Sequence, residues 1–146
     1  MDETKQVETN QPQEIKPAEN AAPKKRKVKR SVATGQVHIL ATFNNTLVSF
    51  TDAAGSVLVS SSAGSCGFRG SKKGTAYASQ VATEKAGQIA KAQYGLSKVT
   101  VYVKGIGLGR DAAIRTIGTL DIQIEALVDI TGMPHGGVRP RKARRV

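Results

Sequence analysis

The sequence has few of the residues on which several protein classes depend. It contains no Trp, three Phe and one Cys among 146 residues. A lone cysteine, Cys66, excludes an internal disulfide and any zinc site built from several cysteines. No apolar run approaches the about 20 residues that span a bilayer, and the N-terminus shows no signal-like apolar segment. We therefore expect a cytoplasmic protein away from membranes, with one α/β domain and an aliphatic core.

Acidic residues are also scarce, and the excess positive charge is concentrated at two places. Twenty-two Lys and Arg stand against eleven Asp and Glu, which gives a net charge of +11. Residues 24–30 and 134–146 are rich in Lys and Arg and contain no acid, whereas the sequence between them is nearly balanced. Such runs repel themselves until a polyanion neutralises them, which favours nucleic-acid binding. We predict a disordered acidic and polar extension over 1–23, a disordered basic arm over 24–35, a folded RNA-binding domain over 36–132 and a disordered basic tail over 133–146.

Hydrophobic periodicity predicts the order of the elements. Apolar residues alternate over 37–43, return over 46–51 and recur over 57–62, 99–103 and 122–130, as expected for five strands. Asn44-Asn45 suggests a hairpin turn with positive φ, which Asn tolerates. Alanines every four residues, with Tyr77 beside them, predict a helix over 75–94 that lies close against a sheet and ends at Gly95. A shorter helix is expected over 111–119. This order implies a mixed sheet with helices packed on it.

Two glycine-rich connections are candidate phosphate sites. The loop 64–74 combines four glycines with Arg69, Lys72 and Lys73 before the long helix, whose first N–H groups attract anions. Phe68 in that loop offers a flat face to a base. The turn Lys104–Arg110 has three glycines, which expose backbone N–H groups to a phosphate. Either connection has a purely structural explanation, as a surface loop or a steric turn.

Catalytic and cofactor motifs are missing. The turn at 104–110 resembles a dinucleotide fingerprint, but Arg110 stands where its third glycine is needed. His38 lies in a strand pattern, His135 lies in the tail, and the serines lack a nucleophile elbow. The acids show no spacing suited to a metal. We therefore expect no enzyme, no cofactor and no metal.

Four segments together resemble the bacterial ribosomal protein S11 family. They read ATFNNT at 41–46, GFRGSKK at 67–73, KGIGLGR at 104–110 and PHGGVRPRKARRV at 134–146. The resemblance runs from about Arg26 to Val146. It implies a three-layer α/β/α domain with a mixed five-stranded sheet of ribonuclease-H-like topology, without that enzyme's active-site acids.

The resemblance also implies a function and a set of partners. The chain would be a structural constituent of the small ribosomal subunit in the cytoplasm. It would bridge helices of the small-subunit ribosomal RNA on the platform, help form the Shine–Dalgarno cleft near the messenger RNA, and neighbour ribosomal proteins seven and eighteen of that subunit. The implied RNA-binding residues are Arg26, Lys27, Lys29, Arg30, Asn44, Asn45, Gly67, Arg69, Gly70, Ser71, Lys72, Lys73, Gly105, Arg110, Arg139, Arg141, Lys142, Arg144 and Arg145.

Two other functions remain as alternatives. Residues 23–28 resemble a nuclear import signal, which suggests a chromatin or DNA-binding protein. Against it, the basic charge lies on the termini rather than on a recognition helix. A nucleotide-dependent enzyme that uses the turn at 104–110 is the weaker alternative.

Overall fold

The computed structural model describes residues 31–142. The predictions made for the acidic extension, for most of the first basic arm and for the last four residues lie outside this range. They include the candidate RNA contacts Arg26, Lys27, Lys29, Arg30, Arg144 and Arg145.

The described residues form five strands and two α-helices in the predicted order. The strands are β1 (Thr34–Ala41), β2 (Thr46–Asp52), β3 (Val57–Ser62), β4 (Lys98–Lys104) and β5 (Gln123–Asp129). The helices are α1 (Ala76–Tyr94) and α2 (Gly109–Thr119), and a 3-10 helix that was not predicted spans Gly70–Gly74.

The strands pair into one mixed sheet with the order β3-β2-β1-β4-β5. β1 and β2 are antiparallel, as are β2 and β3, while β4 lies parallel to both β1 and β5. The mixed five-stranded sheet is therefore confirmed. Because β1, β3, β4 and β5 run in the same direction, the connections that leave them start at one end of the sheet.

Both helices cover the same face of the sheet. The core joins Val37 and Ile39 of β1 to Phe50 of β2, Ala86 of α1 and Ile117 of α2, all buried. Within residues 31–142 the domain therefore has two layers, not the three implied by the family resemblance. The other face stays open, and there the rings of His38 and Tyr102 stack with centroids 5.1 Å apart.

Small residues explain why α1 lies so close to the sheet and to α2. Ala78, Ala82, Ala86 and Ala90 are fully buried, as the four-residue spacing predicted. The helix begins where the Thr75 hydroxyl accepts a hydrogen bond from the Ala78 N–H. It ends at Gly95, whose φ of 70° is left-handed and confirms the predicted end of the helix.

The connection between β1 and β2 differs from its prediction in two ways. β1 ends at Ala41, so Phe43 is no inward strand residue; it lies in the turn and is 72% exposed. Asn44 and Asn45 have no positive φ, since Asp121 is the one non-glycine residue with positive φ between 31 and 142. The turn is closed instead by Thr42, whose N–H and hydroxyl donate to the Asn45 carbonyl, both at 2.9 Å.

This difference in burial gives a matched pair of substitutions for a stability measurement. Phe50→Ala removes a fully buried ring from the core, so we expect the free energy of unfolding to fall by about 3–5 kcal/mol. Phe43→Ala removes an exposed ring and should change it by less than about 0.5 kcal/mol. Urea denaturation followed by circular dichroism measures both values. A similar cost for the two variants would contradict the placement of Phe43.

Candidate nucleic-acid interface

Three connections meet at one end of the sheet, and together they form what we call the loop end. It consists of the turn 42–45 after β1, the loop 63–74 after β3 and the turn 105–108 after β4. Their backbones touch. A Cβ atom added at Gly74 would collide with the Phe43 carbonyl, and one added at Gly105 or Gly107 would collide with the carbonyl of Ala41 or Thr42. Because only glycine permits these approaches, the turn 42–45 is held between the other two connections.

The loop 63–74 is ordered by its own hydrogen bonds. The Ser65 hydroxyl donates to the Ser62 carbonyl at 2.8 Å, and the Phe68 N–H donates to the Ala63 carbonyl at 3.3 Å. Arg69 donates from Nη1 to the Gly64 carbonyl at 2.8 Å, yet its side chain stays exposed. The loop therefore presents its cations from a defined backbone.

Most of the predicted contacts in this loop are accessible. Gly67, Arg69, Gly70, Ser71 and Lys72 are exposed, and Lys73 is half-buried. The start of α1 is less open than expected, because the 3-10 helix precedes it and Thr75 already accepts the Ala78 N–H. A phosphate at this position would be attracted chiefly by the side chains of the loop.

The turn after β4 uses its N–H groups within the protein. Gly105 donates to the Thr131 hydroxyl at 3.0 Å, Gly107 donates to the Ala41 carbonyl at 3.0 Å, and Arg110 donates to the Gly107 carbonyl at 3.1 Å. These three residues therefore do not form the free N–H groups that we expected. The glycines serve the close packing against β1 and the turn 42–45, which was the steric interpretation of the pattern.

A set of hydrogen bonds joins this turn to the end of β5, and we call it the Asp129 clasp. Arg110 donates from Nη2 to Asp129 Oδ2 at 2.6 Å. The Thr131 N–H and hydroxyl both donate to Asp129 Oδ1, at 2.9 and 2.6 Å. The two bonds from Thr131, followed by the one from Arg110, lower the pKa of Asp129 from 3.8 to about 2. The clasp fixes the point where the C-terminal tail leaves the domain.

Sequence reasoning did not find the clasp, because it placed Asp129 within a strand pattern and assigned no role to Thr131. Its partners lie 19 and 2 residues away from Asp129. Arg110, a predicted RNA contact, forms an ion pair with Asp129 in the structure. Asn44 is exposed, whereas the side-chain oxygen of Asn45 is buried.

After Thr131 the described chain has no helix or strand, as the glycines and prolines predicted. Gly136 and Gly137 both have positive φ, at 81° and 50°. The predicted contacts Arg139, Arg141 and Lys142 are all exposed. This part of the tail thus offers its cations without burying any of them.

The sequence suggested Phe68 as the aromatic residue open to a base, but other aromatic residues are the exposed ones. Phe68 is half-buried and packs edge to face against Tyr77, with centroids 5.9 Å apart and the rings 86° from parallel. Tyr77 itself is 66% exposed and Phe43 is 72% exposed, although the sequence had placed Phe43 in a strand and Tyr77 beside the alanine stripe of the helix. The available signal was position, since one ring lies next to a turn and the other lies in the first turn of a helix.

Neither a metal-binding cluster nor a membrane-spanning helix is found within residues 31–142. No group of three or more His, Cys, Asp or Glu side chains is arranged to hold a metal ion there. Among the same residues, no helix is long and apolar enough to cross a bilayer.

Comparison with known proteins gives consistent matches. The family described as "Ribosomal protein S11" matches residues 35–145. A protein of Legionella pneumophila (strain Lens), named "Small ribosomal subunit protein uS11", is 52% identical over 122 residues, which cover 84% of this chain and 92% of the relative. Proteins with the same name from Treponema pallidum (strain Nichols) and Borreliella burgdorferi (strain ZS7) are 49% and 47% identical. These alignments cover 86% and 84% of this chain, and 99% and 93% of the two relatives.

The Asp129 clasp can be tested by titration. The pKa of Asp129 is lower in the folded protein than in the unfolded chain. Its ionised carboxylate therefore stabilises the fold fully above pH 3.8, and this contribution is lost as the pH falls through about 2. Thr131→Val removes the largest cause of the shift, so the carboxyl midpoint should rise toward 3.8. The Gly105 amide should also exchange faster with solvent. Carbon-detected NMR and hydrogen exchange measure both, with Thr100→Val in the middle of β4 as control. An unchanged midpoint of about 2 in Thr131→Val would contradict the clasp.

Proposed function

The chain belongs to the ribosomal protein S11 family, and from that premise we propose that it binds small-subunit ribosomal RNA through its loop end and its basic termini. It is a protein of the small ribosomal subunit and not an enzyme, as its relatives' name indicates. The ribosome of the cytoplasm is then its place of action. The observation that carries the proposal is the meeting of three connections at one end of the sheet.

The charge at the loop end supports RNA as the ligand. None of its three connections contains an Asp or Glu, while the loop 63–74 contributes Arg69, Lys72 and Lys73. The family match at 35–145 covers all three connections. Closely spaced cations without acids attract a phosphate backbone, and rigid glycine packing keeps them in fixed positions.

The path of the chain supports contact with more than one RNA segment. β5 is parallel to β4, so the tail leaves from the loop end, next to the Asp129 clasp. The described chain begins on the other side of the domain, since the Val32 N–H donates to the Tyr94 carbonyl at the far end of α1. A basic run that precedes Ser31 in sequence and a basic tail that starts at the loop end suit a protein that bridges separate RNA helices.

The finer parts of the proposal rest on the family resemblance. They are a position on the platform, a part in forming the Shine–Dalgarno cleft near the messenger RNA, and contacts with ribosomal proteins seven and eighteen. The residues proposed to touch RNA are those named from the sequence. Among the described ones, the side-chain oxygen of Asn45 is buried, the Gly105 N–H already donates to Thr131, and Arg110 is paired with Asp129.

Neutralising the tail should weaken RNA binding without unfolding the domain. Replacing Arg139, Arg141, Lys142, Arg144 and Arg145 by Ala should leave the melting temperature nearly unchanged, because the described ones are exposed. The slope of log affinity against log salt should shrink by about 0.7–0.9 per lost phosphate contact. Filter binding to small-subunit ribosomal RNA at several salt concentrations measures it.

The control removes two exposed cations that lie on the helices, Lys85 and Arg115, by Lys85→Ala with Arg115→Ala. It should change the slope less than Arg139→Ala with Arg141→Ala does. Equal slopes for the wild type and the five-residue tail variant would show that the tail does not contact phosphate. A preference for duplex DNA over ribosomal RNA would instead support the DNA-binding alternative.

A further inference from the structure

Large apolar side chains are exposed at the loop end, where the surface is otherwise basic. Phe43 is 72% exposed, Tyr77 66%, Ile106 68% and Leu108 76%. Phe43 lies in the turn 42–45, and the other three are close in sequence to Gly74 or Gly107, which pack against the backbone of that turn. Exposed apolar side chains grouped on a protein surface indicate a binding site. Phosphate binding by the nearby cations does not explain why these side chains are apolar.

We propose that Phe43 and Tyr77 form a stacking site for unpaired nucleobases of the RNA. This inference rests on the proposed function, because it names which part of the RNA the loop end takes. Phosphate contacts at Arg69, Lys72 and Lys73 would hold the backbone, and the two rings would hold bases that leave a helix. Stacking on aromatic rings is how proteins commonly bind single-stranded loops and bulges.

The backbone of Phe43 is held firmly, although its ring is exposed. Thr42 and Asn45 close the turn around it through three hydrogen bonds, of 2.9, 2.9 and 3.1 Å. On the other side the backbone of Gly74 packs against the Phe43 carbonyl. Because the turn is already ordered, stacking a base on the Phe43 ring does not have to include the cost of ordering its backbone.

Tyr77 is supported from a different direction. It lies in the first turn of α1, three residues after Gly74, and Phe68 meets its ring edge to face at 5.9 Å. The packing of Phe68 thus supports the Tyr77 ring from within the protein. In this arrangement Phe68 is half-buried and Tyr77 stays exposed.

Charge favours RNA over a protein partner as the occupant. An apolar protein helix docked here would leave Arg69, Lys72 and Lys73 uncompensated unless it also carried acids opposite all three. An RNA strand supplies flat apolar bases and phosphates together, in alternation along its length. Bases inside a duplex already stack on their neighbours, so the site would take bases of a loop, bulge or strand end.

The test uses the full chain and two RNA probes, a small-subunit ribosomal RNA fragment with an internal loop and the same fragment with that loop fully paired. Phe43→Ala and Tyr77→Ala should each lower affinity for the looped RNA about 5-fold to 100-fold. Affinity for the paired RNA should change far less. The salt slope should stay unchanged, because no phosphate contact is lost.

Two further variants separate stacking from general hydrophobic contact. Tyr77→Phe keeps a ring and should bind like the wild type, whereas Phe43→Leu keeps apolar surface without a flat face and should behave like Phe43→Ala. Val57→Ala is the control, since Val57 is 64% exposed at the opposite end of the sheet. Melting temperatures of all variants check that the fold is retained.

The outcomes distinguish this inference from the function on which it rests. If the wild type binds the looped RNA and both alanine variants bind it like Val57→Ala, the stacking site is wrong while RNA binding stands. Full binding by Phe43→Leu would also overturn stacking. If the wild type binds neither probe at physiological salt, RNA binding by the loop end fails as well.

Discussion

The structure depends on close backbone contact between three connections at one end of the sheet. Gly74 meets the Phe43 carbonyl, and Gly105 and Gly107 meet the carbonyls of Ala41 and Thr42. Any side chain at these positions would push the connections apart. The same contact fixes the turn 42–45, the loop with Arg69, Lys72 and Lys73, and, through Thr131 and Asp129, the exit of the tail. A largely aliphatic domain thereby gains one defined basic end.

Strand direction explains why that end exists. In this mixed sheet β1, β3, β4 and β5 run the same way, so three connections and the C-terminal tail leave from one end of the sheet. The apolar core lies on the face covered by α1 and α2, away from those connections. Substitutions of exposed side chains in the connections, unlike those of the packed glycines, should therefore leave the core that keeps the domain folded undisturbed.

Local patterns predicted most of the fold. Alternation found the five strands, the alanine spacing found the buried side of α1, and Gly95 was recognised as its end, because each signal comes from residues near in sequence. The layer count was wrong, since it came from the family resemblance, and nothing local says which face α2 takes. The role of Gly105 and Gly107 also stayed open, because glycines that admit a phosphate and glycines that admit a carbonyl look alike in sequence. The Asp129 clasp was missed because Arg110 lies 19 residues away from Asp129 in sequence. Phe43 was placed in a strand because its apolar side chain continues the alternation of β1, although the chain already turns at Thr42.

The central claim is that RNA lies against the loop end rather than against another part of the domain. Hydroxyl-radical cleavage from a tethered iron chelate tests it directly, in a Cys66→Ser background so that one chosen site carries the probe. Ser71→Cys places the probe at the exposed part of the loop end, and Val57→Cys places it at the opposite end of the sheet. We predict strong, localised cleavage of small-subunit ribosomal RNA from position 71 and weak cleavage from position 57. Equal cleavage from both positions, or stronger cleavage from position 57, would contradict the account.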